Sequence, residues 1–199
     1  MKTEFKEQIR LEALAIREKA FDQDQLISEG GFSVAGRKLK DNLCKVFDRL
    51  KIENHITVSS YISVRSEITT SAIICWLWKK GSTICLPVIS EKDCPLTFYE
   101  WKQHDRLQSG KFNIPVPIDT RRLIPDVVLC PLVSFDSYGN RMGYGGGYYD
   151  RTIQKLRKEK KITIIGLGFL EQKSEKALPV DCNDQRLDVM VTNEKIFIF

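Results

Sequence analysis

The residues best suited to chemistry lie together in one segment: a glycine cluster with a cation before it and a carboxylate after it. Four of the twelve glycines fall within residues 143–147, Arg141 precedes them and Asp150 follows. Glycine permits positive φ angles and close approach of the backbone to a ligand, and amides leading into a helix can bind an anion. A guanidinium suits phosphate oxygens and a carboxylate suits Mg²⁺. The segment therefore predicts a site for a nucleotide phosphate and magnesium.

Two common nucleotide-binding patterns are missing from this segment. The sequence contains no GxxxxGK[ST] run, and the cluster lacks the GxGxxG frame of a dinucleotide fold. The acidic residue that such a fold places about 20 residues later is also missing, because residues 167–170 are apolar. A nicotinamide dehydrogenase is therefore disfavoured, and a glycine turn without a ligand remains the structural alternative.

Alternating helix and strand signals indicate the elements that position this segment. Between residues 4 and 21 apolar side chains recur at helical spacing and predict an amphipathic helix with Phe5, Ile9, Ala13, Ile16 and Ala20 on its buried face. Further helices are predicted over 36–51, 69–80 and 148–160, and strands over 55–63, 83–89, 96–101, 126–135, 161–166, 188–192 and 195–199.

The strand predicted over 126–135 is expected to be central, because its apolar run is typical of a strand covered on both faces. Its connection through the helix at 148–160 to the strand at 161–166 forms a βαβ unit. The pattern predicts an α/β fold, with a single three-layer domain over 1–199, a mostly parallel sheet and helices on both faces.

Three cations lie on one side of the first predicted helix. At about 100° per residue, Lys6, Arg10 and Arg17 point in similar directions beside the apolar stripe. They can bind a ligand at the edge of the buried face, or they can be solvated charges with apolar stems. Geometry alone leaves these two interpretations open.

Several motifs resemble those of one enzyme family. Arg-x-Gly-Tyr-Gly-Gly-Gly-Tyr-Tyr-Asp-Arg at 141–151, after Pro-Leu-Val-x-Phe-Asp, resembles the signature of the 5-formyltetrahydrofolate cyclo-ligase (methenyltetrahydrofolate synthetase) family. Matches extend over nearly the whole chain, including Lys-x3-Arg at 6–10, Tyr-x-Ser-x3-Glu at 61–67, Ile-Pro-x-Pro at 114–117 and Leu-Pro-Val-Asp at 178–181.

The resemblance implies a ligase that converts 5-formyltetrahydrofolate and ATP to 5,10-methenyltetrahydrofolate, ADP and phosphate with Mg²⁺. Hydroxide is a poor leaving group, so the formyl oxygen must first become phosphate. As the resemblance implies, that oxygen attacks the γ-phosphate, N10 closes on the iminium phosphate and phosphate leaves. Positioning and charge neutralisation are then the main tasks of the protein.

The resemblance also implies which residues form the site. The ATP-binding set is Lys6, Arg10, Arg141, Met142, Gly143, Tyr144, Gly145, Gly146, Gly147, Tyr148 and Tyr149. The folate-binding set is Ile62, Glu67, Trp101, Tyr144, Gly145, Gly146, Gly147 and Tyr148. Arg141 and Tyr148 are the expected catalytic residues, Asp150 and Asp184 the expected magnesium ligands, and Arg17 a supporting cation.

Several of these residues also have a structural alternative. Glu67 fits the first turn of the following helix, Trp101 fits the core, and Asp184 fits an Asx turn in a polar loop. Tyr144 and Tyr148 can likewise serve as core or capping residues. Arg121 and Arg122 can contact a phosphate or the glutamate tail of a folate, but we expect them in a solvated loop. Residues 21–31 have no functional interpretation.

A net charge of +5 can indicate a nucleic-acid partner, but the positions of the cations in this chain argue against one. Five of the cations lie within residues 155–161, where they are expected on the solvated face of a helix. A non-catalytic nucleic-acid module remains the competing hypothesis, but no aromatic residues are interleaved there to stack on bases. We therefore expect small-molecule partners and no nucleic acid.

The cysteines and the N-terminal sequence indicate a compartment. The six cysteines form no CxxC pair and the two histidines are far apart, so a zinc site is not expected. We expect reduced thiols in a cytoplasmic protein. The charged N-terminal residues do not resemble a signal peptide, and no apolar stretch is long enough to cross a membrane. The expected oligomeric state is a monomer.

Overall fold

An eight-stranded sheet lies at the centre of the structure. The computed structural model describes residues 2–26, 33–118 and 120–199, without the side chains of residues 2 and 3. The strands, in chain order, are β1 Thr57–Ser59, β2 Thr83–Val88, β3 Thr97–Glu100, β4 Leu107–Ser109, β5 Pro115–Pro117, β6 Arg122–Leu123, β7 Val127–Pro131, β8 Ser134–Phe135, β9 Arg141–Met142, β10 Thr163–Gly168, β11 Val189–Thr192 and β12 Ile196–Ile198. The large sheet has the order β12-β11-β10-β7-β1-β2-β3-β6.

The sheet is mostly parallel, as predicted. The five inner strands β11, β10, β7, β1 and β2 run parallel to one another. Antiparallel β12 and β3 flank them, and β6 pairs antiparallel with β3. Two separate hairpins pair β4 with β5 and β8 with β9.

Four helices cover the two faces of this sheet. They are α1 Lys2–Leu26, α2 Val34–Arg49, α3 Ser71–Lys79 and α4 Tyr148–Glu159. Leu43 of α2 and Ile73 of α3 share one core cluster with residues of the first sheet face. Ile153 of α4 belongs to a second cluster, with Val128 and Met190 of the opposite face. The expected three-layer α/β arrangement is confirmed, and the expected single domain over 1–199 stays a prediction.

The order of the inner strands creates a crevice at the carboxyl ends of β1 and β7. From β1 the chain passes through α3 to β2 on one side, whereas from β7 it passes through α4 to β10 on the other. Ligands of open α/β sheets bind where the strand order reverses in this way. The segments that follow β1 and β7 therefore border the expected ligand site.

The predicted buried stripe of α1 is wrong at two positions. Phe5 is 59% exposed and Ile16 is 48% exposed, whereas Arg17 is only 1% exposed. Helix α1 contacts β8 and the short 3₁₀ turn Leu170–Gln172. Because Ser66 and Leu132 offer hydroxyl and carbonyl acceptors to Arg17, a cation faces inward here together with small residues such as Ala13.

The predicted strand over 126–135 is central but is interrupted. Strand β7 ends at Pro131, and Ser134 and Phe135 pair with β9 instead. Gln172 Nε2 donates to the carbonyl oxygens of Leu132 and Val133 at 2.8 and 3.0 Å. The Gln172 side chain thus occupies carbonyl oxygens that β7 would need for backbone hydrogen bonds if the strand were longer.

The predicted strand over 55–63 is also shorter than expected. Strand β1 ends at Ser59, and the following segment is held by side chains instead. Thr70 Oγ1 donates to the Tyr61 carbonyl oxygen at 2.7 Å, and Ser63 Oγ donates to the Ile68 carbonyl oxygen at 2.9 Å. These bonds fold residues 60–70 into a compact turn at the end of β1.

The basic run at 155–161 lies on the outer face of α4 and just beyond it, as predicted. All of its cations are exposed except Lys160, which is half-buried. Arg157 pairs with Asp188 at 3.0 Å and Lys160 with Asp126 at 2.6 Å. Part of the positive charge is thus balanced within the chain. Arg121 and Arg122 are exposed as well, although Arg122 belongs to the edge strand β6.

The cysteines and the helices can be compared with the expectations from the sequence. All six cysteines are free, and burial raises the pKa of the Cys130 thiol to about 12. Cys182 is exposed. Within the described residues, no helix has the length and apolar character needed to span a bilayer.

Residues 27–31 of the uninterpreted segment 21–31 lie outside the described part of the chain.

Candidate active site

The glycine loop joins β9 to α4 and leaves its backbone open. Gly145 and Gly147 have φ angles of +94° and +64°, which only glycine adopts without strain. A Cβ atom at Gly143 would meet no heavy atom within 4 Å. Gly147 is the residue before α4 and offers no side-chain cap, so the first amides of that helix are free for an anion. The loop has the backbone geometry that a phosphate site needs.

Two arginines hold this loop through its carbonyl oxygens. Arg10 Nε of α1 donates to the Gly143 oxygen at 2.9 Å. An arginine of α4, Arg151, donates from Nη2 to the Gly146 oxygen at 2.7 Å. These bonds bring two cations to the loop without using its amide groups, so positive charge and free N–H donors lie together.

The Lys6 ammonium is held at the start of α1 by two carboxylates. Lys6 Nζ lies 2.7 Å from Asp181 Oδ2 and 3.1 Å from Asp184 Oδ2. The Asp181 amide donates to Asp184 Oδ2 at 2.7 Å, which fixes the two residues relative to each other. Burial acts to lower the pKa of Lys6, but its hydrogen bonds to Asp181 and Asp184 outweigh burial and raise that pKa. Asp181 was not among the expected site residues, although it ends the Leu-Pro-Val-Asp motif at 178–181.

Arg141 is bound to one of the expected metal ligands. Its Nη2 donates to Asp150 Oδ1 at 2.8 Å, and its Nη1 donates to the Gln185 carbonyl oxygen. The Gln185 amide donates to the same Asp150 oxygen at 3.0 Å. Arg141 is almost fully buried and its two amino groups are used by the protein, so it orients Asp150 directly.

These bonds bring the two expected magnesium ligands to neighbouring positions. Asp150 contacts the residue that follows Asp184 in the chain. No group of three or more His, Cys, Asp or Glu side chains in the described ranges could enclose a metal ion. Mg²⁺ is commonly held by one or two carboxylates together with water and substrate phosphates. The two carboxylates therefore fit a magnesium ion that arrives with a nucleotide.

An apolar cavity is lined by the segment that follows β1 and by α3. Its volume is about 280 Å³, close to the lower end of the range for small-molecule sites. Trp78 and Trp101 form one wall, with ring centroids 5.0 Å apart and planes inclined by 57°. The cavity is lined by Ile62, Ser63, Thr69, Thr70, Ser71, Ile74, Cys75, Trp78 and Trp101. Two residues expected to contact folate, Ile62 and Trp101, thus share one cavity with flat aromatic walls.

Glu67 belongs to the turn between cavity-lining Ser63 and Thr69. It is 5% exposed, and its Oε2 accepts a hydrogen bond from the Val64 amide at 3.0 Å. Burial raises the pKa of Glu67, against the opposing effects of the Val64 amide, Arg17 and the Tyr144 hydroxyl. A buried carboxylate near an aromatic cavity can accept hydrogen bonds from ring N–H groups.

Arg17 connects this turn to the glycine loop, a role that the sequence did not predict. Its guanidinium donates to Ser66 Oγ and to the Leu132 carbonyl oxygen, both at 3.2 Å, and to the Tyr144 hydroxyl. The available signal was its position on the same helix side as Lys6 and Arg10. That spacing did not distinguish a buried hub from a solvated cation.

The remaining predicted residues lie either beside the glycine loop or towards the core. The Met142 side chain is buried, so only its backbone faces the loop. Tyr148 and Tyr149 are half-buried against the second core cluster. The Tyr148 ring centroid lies 5.2 Å from the Arg151 guanidinium, and burial raises the pKa of Tyr149 well above its ordinary value. The structure places Tyr148 beside the loop and Tyr149 towards the core.

Comparisons with known proteins identify relatives of this chain. The chain is 35% identical over 147 residues to 5-formyltetrahydrofolate cyclo-ligase of Escherichia coli, covering 71% of this chain and 80% of the relative. It is 30% identical over 200 residues to the Haemophilus influenzae enzyme of that name, covering 96% and 100%. The fold matches the 5,10-methenyltetrahydrofolate synthetase structure from Aquifex aeolicus with a TM-score of 0.68 at 24% identity, covering 94% and 92%.

The family assignment follows from the extent of these matches. The structure of the Mycoplasma pneumoniae 5,10-methenyltetrahydrofolate synthetase also shares the fold, with a TM-score of 0.64 at 22% identity over 91% of this chain and 98% of that one. The model of the 5-formyltetrahydrofolate cyclo-ligase family matches residues 2–193. The protein is a ligase, and its chain belongs to the 5-formyltetrahydrofolate cyclo-ligase family.

Proposed function

We propose that the protein catalyses the ATP- and magnesium-dependent cyclisation of 5-formyltetrahydrofolate to 5,10-methenyltetrahydrofolate, with ADP and phosphate as the other products. One observation supports this most: the open glycine loop lies close to the turn that borders the aromatic cavity. They are joined by Arg17, which contacts both the loop and the turn carrying Glu67. A reaction between a phosphorylated nucleotide and a flat heterocycle needs such an arrangement.

The nucleotide side binds phosphate through backbone amides and cations. The free amides at the start of α4 and of the loop donate to phosphate oxygens. Lys6 and Arg10 approach from α1 and carry positive charge to the same place. Because phosphate can replace the carboxylate and carbonyl oxygens that these cations now contact, nucleotide binding exchanges one set of acceptors for another.

Asp150 and Asp184 are the residues that would hold magnesium. When bound, the ion would neutralise charge on the nucleotide phosphates. Arg141 fixes Asp150 through its hydrogen bond and adds a positive charge close by. Lys6 holds Asp184 only until phosphate replaces that carboxylate as its acceptor.

The folate side binds the ring in the aromatic cavity. Ile62 and Trp101 pack on the ring faces, and Glu67 accepts hydrogen bonds from ring N–H groups and thereby orients them. Tyr144 and Tyr148 lie at the start and the end of the glycine loop, so they separate the folate from the nucleotide. The formyl group then faces the phosphates across the loop.

The reaction has two bond-forming steps. The formyl oxygen attacks the γ-phosphorus, and the bond to the β–γ bridging oxygen breaks as ADP leaves. N10 then attacks the formyl carbon and loses its proton, and the C–O bond breaks as phosphate leaves. No side chain forms a covalent bond in this sequence. Arg141 and Tyr148 are our candidate catalytic residues, because they border the loop at which charge develops.

The test is an absorbance assay with purified protein. We expect the near-ultraviolet absorbance of the methenyl product to appear only when 5-formyltetrahydrofolate, ATP and MgCl₂ are all present. Replacing ATP with ADP, or adding excess EDTA, should abolish the signal. Folded protein that yields no product in the complete mixture would refute the proposal.

A further inference from the structure

Helix α1 holds the glycine loop at two consecutive residues. Arg10 Nε donates to the Gly143 carbonyl oxygen at 2.9 Å, and Arg17 Nη2 donates to the Tyr144 hydroxyl. The two arginines are separated by about two helical turns, so they lie on the same side of α1. Because both bonds start from one helix, they fix the position of the loop relative to α1.

The same Arg17 side chain also holds the turn that borders the aromatic cavity. Arg17 Nε donates to Ser66 Oγ at 3.2 Å. Ser66 lies in the compact turn 60–70, next to the buried Glu67. Arg17 is therefore a direct link between Tyr144 of the loop and Ser66 of the turn.

The third contact of Arg17 anchors this link to the central sheet. Its Nη1 donates to the Leu132 carbonyl oxygen, just after β7, at 3.2 Å. Gln172 Nε2 donates to the same oxygen at 2.8 Å, and a carbonyl oxygen can accept two hydrogen bonds. The loop and the turn are thus both positioned relative to the end of a central strand.

The partners of Arg17 are all neutral, although its charge is buried. The side chain is 1% exposed, and it donates to two hydroxyl oxygens and one carbonyl oxygen. Burial of a charge is costly, and apolar side chains often fill a buried position at no loss of stability. Packing alone therefore gives no reason for an arginine at this position.

The Tyr144 ring makes a second connection between the loop and the turn. Its centroid lies 5.1 Å from the Arg17 guanidinium and 5.5 Å from that of Arg65, which belongs to the turn. Both distances allow cation–π attraction. Phenylalanine at position 144 would keep the ring, so Tyr144→Phe removes only the hydroxyl group to which Arg17 donates.

We propose that Arg17 is a positioning residue for phosphoryl transfer, which fixes the glycine loop and the turn 60–70 relative to each other and so aligns the two substrates. This rests on the proposed function, in which the loop binds the nucleotide and the turn borders the folate. All three nitrogen atoms of the buried guanidinium already bond to the protein, so Arg17 acts on the substrates only through these segments. Its loss should disturb the alignment of the formyl oxygen with the γ-phosphorus more than the binding of either substrate.

The first test breaks the link at each end, with Ser66→Ala on the turn and Tyr144→Phe on the loop. A shift of about 1 Å between reacting groups can cost up to about 100-fold in rate, so we expect each variant to lower kcat about tenfold. KM for ATP and KM for 5-formyltetrahydrofolate should stay within about twofold of the wild-type values, because the contacts to each substrate remain. Steady-state kinetics measure all three constants. A rise in either KM with unchanged kcat would overturn the proposal.

The double variant Ser66→Ala/Tyr144→Phe shows whether the two contacts form one link. Two bonds in series are interrupted once either is lost, so kcat should stay within about twofold of the slower single variant. Multiplication of the two single effects would contradict a shared link. The matched controls are Ser137→Ala and Tyr138→Phe, two exposed residues of the turn 136–140, which should keep wild-type kcat and KM values.

Arg17→Lys tests the residue that joins the two contacts. Lysine keeps the charge but cannot reproduce the forked geometry of three donors, so kcat should fall at least as far as in the single variants. Wild-type kcat in this variant would overturn the proposal. Because Arg17 is buried, the melting temperature is measured first. If Arg17→Lys does not fold, Ser66→Ala, Tyr144→Phe and their double variant decide the matter by themselves.

Amide hydrogen exchange separates failure of this proposal from failure of the proposed function. The turn 60–70 contains hydrogen-bonded amides, such as that of Glu67, which donates to the Val64 carbonyl oxygen at 3.1 Å. Tyr144→Phe changes the loop, yet it should speed exchange in this turn several-fold relative to Tyr138→Phe, whether or not the protein forms product. Unchanged exchange in the turn would overturn the positioning role, and in an active enzyme it would leave the proposed function intact.

Discussion

The two turns on either side of β9 are close in sequence and opposite in construction. In the turn 136–140, the buried Asp136 carboxylate accepts from the Tyr138 amide, the Asn140 amide and side chain, and the Leu178 amide, at 2.8–3.0 Å. In the loop 143–147, Gly143, Gly145 and Gly146 are exposed, and arginines hold its carbonyl oxygens. One turn pairs its amides internally and the other leaves amides for a ligand.

This difference separates residues that maintain the fold from residues that bind. Four amide N–H groups converge on Asp136, so its loss leaves buried donors without partners and lowers stability. The glycine loop makes few internal bonds, so changes there should alter ligand binding more than stability. Substitutions on the two sides of β9 can test whether stability and activity divide in this way.

The largest expected effect is on stability, from Asp136→Ala. Removal of the carboxylate should lower the free energy of unfolding by about 3 kcal/mol, because buried amides lose their acceptor. Urea denaturation followed by circular dichroism measures this. Asp136→Asn, which keeps one acceptor oxygen, should lose less. Specific activity of the folded fraction should stay at the wild-type level, and a proportionate loss of activity would break the comparison.

A smaller effect, on activity, is expected from Arg141→Ala. Loss of the guanidinium releases Asp150 and should lower kcat/KM for ATP about 100-fold, which corresponds to about 2.7 kcal/mol. Steady-state kinetics at saturating folate measure it. The control is Lys158→Ala, an exposed cation on the outer face of α4, which should leave these constants unchanged. An unchanged rate and ATP KM for Arg141→Ala would remove that residue from the site.

The smallest effects are expected from a matched pair of glycine substitutions, Gly139→Ala and Gly147→Ala. Both residues have positive φ, +80° and +64°, so each alanine should cost about 1 kcal/mol in strain. At Gly139 the new Cβ would also lie 2.8 Å from the Phe199 ring, whereas at Gly147 it meets only the end of the Arg151 side chain.

The two alanine variants should therefore differ in what they change. We expect Gly139→Ala to lower the melting temperature more and to leave ATP KM unchanged. Gly147→Ala should lower the melting temperature less and raise ATP KM several-fold, because it displaces Arg151 and the first amides of α4. Equal changes in both measurements for the two variants would contradict the division between the turns.

The parts of the structure that depend on local sequence were predictable. Local sequence was enough to predict the glycine loop, the helix α4 that follows it and the central position of β7. The length of β7 was not predictable, because Gln172, about 40 residues away, takes the acceptors of Leu132 and Val133. Side chains that compete for backbone acceptors across such separations leave no periodic signal.

The inward face of α1 shows the same limit in the candidate site. Hydrophobic periodicity placed Phe5 and Ile16 inside, but Arg17 lies inside because Ser66, Leu132 and Tyr144 supply its hydrogen-bond partners. Those partners come from three segments, and their convergence depends on the sheet order. Motifs predicted that Lys6, Arg10 and the glycines belong to the site. The contacts between these residues and the rest of the chain became visible only in the folded structure.

The separation along the chain between α1 and its partners also bears on the synthesis of the protein. Lys6 contacts residues 175 and 178 positions later, and Arg10 contacts a residue 133 positions later. Closing such long loops costs conformational entropy, and contacts of this kind slow folding. During translation α1 emerges before every strand of the sheet, whereas Asp184 emerges only after six of the eight strands. The nucleotide side of the crevice is therefore among the last parts of the molecule to assemble.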